Sequence, residues 1–136
     1  MSANDAPVGP EPRTRRIVGA VLLLLAVAAG LLVHFTLPDN AATDIFGDVL
    51  YAAAVSLALM IVAPHWVPPQ VGFVAAVWCL AVELFQGTGL PVQWAADFPP
   101  ITLVLGTVFD WRDLLMYGLT IVFVTVLDTI IWRRRR

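Results

Sequence analysis

Ile17–Leu37, IVGAVLLLLAVAAGLLVHFTL, decides the fold class. In these 21 residues only His34 and Thr36 are polar. At 1.5 Å per residue a helix of this length rises about 32 Å, enough to cross a hydrocarbon core about 30 Å thick. Ala26-Val27-Ala28 resembles a signal-peptide cleavage site, but the apolar run exceeds the roughly 7–15 residues of a signal core, so the stretch reads as an uncleaved first span. The whole chain agrees. It is 60% hydrophobic and 13% charged, against roughly 45–50% and 25% in soluble domains.

Three more spans follow. Pro38-Asp39-Asn40 is a turn signal, and Ile45–Ala63 is the second span, with Ala52, Ala53, Ala54, Ser56 and Ala58 suited to close helix contact. The connection Pro64–Pro69 carries Trp66, a residue of the aromatic belt. The third span runs from Val71 to about Leu90, and a linker with Pro91, Pro99 and Pro100 comes next. Ile101–Phe109 is apolar but too short to cross, which predicts a re-entrant or interfacial segment. A break near Asp110-Trp111-Arg112 then opens the fourth span, Asp113–Trp132.

All eight basic residues are arginine. Arg13, Arg15 and Arg16 precede the first span and Arg133–Arg136 follow the last, which predicts both termini on the cytoplasmic side and an even number of spans. The expected fold is an all-α integral membrane protein: a four-helix transmembrane bundle, N-in/C-in, with the short segment before its last helix. Residues 1–16 read as a disordered cytoplasmic tail and 17–136 as a single membrane domain.

Polar residues inside the spans carry the functional signal, because a charge in lipid is costly and faces a bundle interior or wet cavity. Asp44/Asp48/Tyr51, Glu83/Gln86 and Asp110/Asp113/Tyr117 each fall on one helical face. Glu83 is twelve residues past Val71, about 18 Å into the core, beyond the middle and towards the outside. Its stripe and the other two lie at similar depth and could line one cavity. The simpler reading of Glu83 and Gln86 is an interhelical hydrogen bond to Tyr51 or Tyr117. Arg112 between Asp110 and Asp113 reads as a rim ion pair or a contact to lipid phosphate, and Asp128 as a neighbour of the terminal arginines.

Other chemistries find little support. No dense metal-ligand motif is present, and neither a metal nor a cofactor is expected. Ser56, the only serine in the spans, lacks a nucleophile-elbow setting, and no glycine-rich phosphate loop occurs. The lone Cys79 reads as a small buried hydrophobe. Arg133–Arg136, directly after a span, fits anionic lipid rather than nucleic acid.

GDVLYA (Gly47–Ala52), VELFQ (Val82–Gln86) and LGTVFDWRDLLMYG (Leu105–Gly118) resemble a small bacterial membrane family known as domain of unknown function 2809. The E-x-x-Q pattern followed by an aspartate-bearing helix is similar to the broader VanZ-like group, linked to glycopeptide (teicoplanin) resistance. Where VanZ-like chains tend to have asparagine this chain has Tyr117, and Gln93 and Asp97 stand where a basic residue is usual. The resemblance implies a multi-pass protein of the bacterial cytoplasmic membrane, at the cell envelope, with Asp48, Glu83, Gln86, Asp113 and Tyr117 as its site. It implies binding of an envelope lipid or a glycopeptide-related ligand from the outer side. Two alternatives stay open: an acid–base enzyme on a lipid-linked substrate, with Glu83 and Asp113 as the pair, or an assembly subunit whose polar stripes meet a membrane-protein partner.

Overall fold

The computed structural model describes residues 11–106 and 108–134. The expected tail, up to residue 10, lies outside the described residues, as do Arg135 and Arg136 of the terminal run. Four helices are long and apolar enough to cross a membrane: α1 (Pro12–Thr36), α2 (Ala41–Val62), α3 (Pro68–Gln86) and α6 (Trp111–Arg134). Between α3 and α6 lie α4 (Leu90–Asp97), a 3-10 turn (Pro99–Ile101) and α5 (Thr102–Leu105).

Local chemistry sets the boundaries. α1 starts at Pro12, whose fixed φ suits a first helical position. The expected start was Ile17, so Arg13, Arg15 and Arg16 belong to the helix rather than to a tail. α2 also starts earlier than expected, at Ala41 rather than Ile45, because Asn40 caps it. The Asn40 Oδ1 accepts from the backbone N–H of Ala42 (2.9 Å) and Thr43 (3.2 Å), and the Thr43 hydroxyl oxygen accepts from the Asn40 N–H (2.9 Å). Pro68 and Pro69 open α3, which ends at Gln86, short of the expected Leu90. Gly87-Thr88-Gly89 stops it, with Gly89 in the left-handed region at φ 75°. The expected proline linker is therefore partly helical, since Pro91 sits in the first turn of α4.

α2, α3 and α6 pack pairwise, and α1 lies along α2. Small residues set the close approaches. Ala52 and Ser56 of α2 and Ala75 and Cys79 of α3 are buried in the core beside Tyr117 and Ile121 of α6. Gly72 is required at the α3–α6 crossing, where a Cβ would strike the Thr125 hydroxyl. Two hydroxyls within the spans are satisfied by their own helix: Ser56 donates to Ala52 O (3.0 Å) and Thr129 to Thr125 O (2.7 Å). They need no partner from another helix.

Arg15, near the start of α1, crosses to the far end of the chain. Its guanidinium donates to Asp128 Oδ2 (2.5 Å), to Pro64 O (2.9 Å) and to Trp66 O, and it lies 4.7 Å from the Trp132 ring centroid. Both termini of the described chain therefore lie at one end of the bundle. Asp128 was expected near the terminal arginine run; its partner is instead Arg15, 113 positions earlier.

Candidate functional site

The opposite end of the bundle carries the other polar cluster. Glu83 and Gln86, one turn apart on α3, are both buried, Glu83 completely at 0% exposure. Glu83 Oε2 accepts from the Asp110 backbone N–H at 3.4 Å, and the Tyr117 hydroxyl of α6 adjoins the same carboxyl. The Gln86 amide donates to Leu105 O at 2.7 Å. The Tyr51 hydroxyl of α2 donates to Val104 O (2.8 Å), accepts from Trp78 Nε1 (3.1 Å), and its ring lies 5.8 Å from that of Tyr117.

The connector thus folds back over the end of the bundle and is pinned by side chains of α2 and α3. Gly106 makes the turn possible. Its φ of 63° with ψ −161° belongs to a region that side chains avoid, and a Cβ there would strike the Gln86 amide. The short apolar run, expected to be re-entrant or interfacial, lies in this connector.

Asp48 of α2 and Asp113 of α6 are half-buried and meet carboxyl to carboxyl. Of the alternatives read from sequence, Tyr117 is the phenol beside Glu83, while Tyr51 turns to the connector. The carboxyl in contact with Asp113 is that of Asp48.

Asp110 has a different role from the one its spacing suggests. It precedes α6, and its Oδ1 accepts from the Arg112 backbone N–H at 2.9 Å, as a helix cap does. Arg112 curls back at the rim, 3.8 Å from Asp44, 4.0 Å from Asp110 and 3.9 Å from Asp113. Its contacts to Asp110 and Asp113 have the geometry of a rim ion pair, and Asp44 of α2 joins them.

All three polar stripes therefore meet. His34, at the far end of α1, does not join them; it is exposed and packs edge-on against Phe35. Gln93 and Asp97 lie exposed on α4. Sequence reasoning missed Trp78, which lies off the Glu83 stripe, and the carbonyls of Val104 and Leu105, which carry no side-chain signal. Gly106 after the apolar Leu103, Val104 and Leu105 was the visible hint of the turn.

The electrostatics are one-sided. Five acids, Asp44, Asp48, Glu83, Asp110 and Asp113, share this end with one arginine, and Asp44, Asp110 and Asp113 lie 3.8–4.0 Å from Arg112. Three buried oxygens, Asp48 Oδ2, Glu83 Oε1 and Gln86 Oε1, have no hydrogen-bond partner. One donor at the rim, Arg112 Nε, is also without a hydrogen-bond partner; the interior is richer in free acceptors, which suits a ligand that brings hydroxyl or amine donors. Among the described residues, no group of three or more His, Cys, Asp or Glu is arranged to hold a metal ion.

Four membrane-length helices enclosing a polar end define a multi-pass membrane protein. The family is narrower: the sequence profile described as Protein of unknown function (DUF2809) matches residues 37–121, more than half the chain, and the chain belongs to that family. The matched stretch holds every residue of the polar cluster and leaves out α1 and the last part of α6. No curated protein and no solved structure matches the chain.

Proposed function

We propose that the protein is a VanZ-like membrane protein of the bacterial envelope, and that Asp48, Glu83, Gln86, Asp113 and Tyr117 bind an envelope lipid or glycopeptide-related ligand. The observation that carries this reading is the set of buried acceptors without partners at Asp48, Glu83 and Gln86. A buried polar group left unsatisfied costs about 1–3 kcal/mol, so a fold that keeps three on one site has a use for them. Sugar hydroxyls, amines and amides supply the missing donors. The arginines of the termini favour the cytoplasmic side for that end, which turns the polar cluster outward, where envelope ligands are met. Tyr51 and Gln86 hold the connector across the site, and its release would admit a ligand.

Native mass spectrometry of gently extracted protein, wild type beside Glu83→Gln, tests the reading. A retained mass of lipid or glycopeptide size, present in the wild type and absent in the variant, is expected. Identical sets of retained masses in wild type and variant would remove the site from the function, and a co-purifying subunit in place of a small molecule would make the cluster an assembly surface.

The contact between Asp48 and Asp113 favours a second reading, acid–base chemistry on a lipid-linked substrate. Paired carboxyls in distinct environments are a common way of dividing acid and base roles. In that case Asp48→Asn and Asp113→Asn each stop turnover while the bound mass is kept.

A further inference from the structure

At the end that carries the termini, α1 and α6 diverge once Arg15 has joined them. Between them runs a groove of about 370 Å³, within the range of about 300–1,000 Å³ common for ligand sites. Val18 and Leu22 of α1 form one wall, Val124, Leu127 and Ile131 of α6 the other, and Met60 of α2 the floor. The buried Arg15–Asp128 pair closes one end. Most of this lining lies outside the family-matched stretch, so the groove is separate from the polar cluster in sequence as well as in space.

We propose that this groove seats one acyl chain of an anionic phospholipid, drawn from the leaflet beside the termini, with the phosphate among the arginines of that end. Thr14 to Leu22 rises about 12 Å, less than half of a core about 30 Å thick, which confines the groove to one leaflet. Its walls are aliphatic, the surface an acyl chain fits.

The charge around the groove selects the head group. Arg13, Arg16, Arg133 and Arg134 are exposed at this end; Asp128 is neutralised by Arg15, and Glu11 is the one exposed acid there among the described residues. Arg134 follows Ile131 by three positions and so continues the groove-lining face of α6 towards the head-group region. Lipid tails are as apolar as leucine, so the tail contributes fit and the arginines contribute the preference for an anion.

The full-length protein, reconstituted in bilayers of equal phosphatidylglycerol and phosphatidylcholine and released for native mass spectrometry, gives the test. One phosphatidylglycerol retained per chain is expected. Val18→Trp, at a half-exposed wall position, fills the groove and abolishes retention at unchanged helix content. Leu127→Trp does the same from the opposite wall if the first variant fails to fold. Arg134→Gln lowers the preference for phosphatidylglycerol about fivefold, whereas Glu83→Gln leaves it intact. Equal retention of both lipids by the wild type, no retained lipid, or full retention by a folded groove-filled variant would overturn the proposal. Because Glu83→Gln and Val18→Trp act on different sites, the groove and the polar cluster can fail independently.

Discussion

At the terminal end of the bundle, Arg15 and Asp128 bury opposite charges against each other, 6% and 8% exposed, with two backbone carbonyls and the Trp132 ring also against the guanidinium, although Arg15 Nε and Trp132 Nε1 find no acceptor. At the other end, Asp48, Glu83 and Asp113 bury like groups together, and three oxygens find no donor. A compensated pair holds helices in register. An uncompensated cluster is tolerated where its polarity is used. The difference is one of charge within a single bundle: opposite charges paired at one end, like groups gathered at the other.

Substitutions should move the two ends in different directions. The largest effect is expected for Asp128→Ala, which strands the Arg15 charge; removing one partner of a buried pair costs about 3–5 kcal/mol. Unfolding from mild detergent into SDS measures it, and a loss below about 1 kcal/mol would show that water or lipid already shares the Arg15 charge. Next is Gly106→Ala, about 1–3 kcal/mol from a backbone conformation reserved for glycine and the collision with Gln86. Proteolysis between α3 and α6 should accelerate in that variant; an unchanged cleavage rate would mean the connector is not pinned as described. Asp48→Asn has the opposite sign. The new amide donates to Asp113, so stability rises on the order of 1 kcal/mol while ligand retention falls. A destabilised Asp48→Asn protein would make the two ends alike and erase the comparison. The smallest effect belongs to Arg112→Gln, about 0–1 kcal/mol, because its contacts are 3.8–4.0 Å long and partly solvated. That value should shrink further at high salt.

The four spans were legible because each is a long apolar run, and length alone distinguishes a crossing helix from a short apolar piece. The polar stripes were legible for a related reason: helical spacing puts Glu83 with Gln86 and Asp113 with Tyr117 on shared faces. Boundaries were harder. The Asn40 cap with Thr43 in place of Glu or Gln is a weak signal, and helix α4 follows two glycines in a segment that its prolines marked as a linker. Long-range pairing was not legible at all. Nothing in local periodicity joins Arg15 to Asp128 across 113 positions, and Arg15 looked like one topological arginine among three. Likewise the partner of Asp113 depends on how α2 crosses α6, which brings up Asp48 rather than Glu83.

The Arg15–Asp128 link also has a consequence for biogenesis. Arg15 leaves the ribosome 113 residues before Asp128, so at about 5–20 residues per second roughly 6–23 s pass before the two can meet. Throughout that interval the first helix holds a basic group without its counter-ion. Only a chain translated through α6 closes the contact, which makes the ion pair a late step in assembly of the bundle.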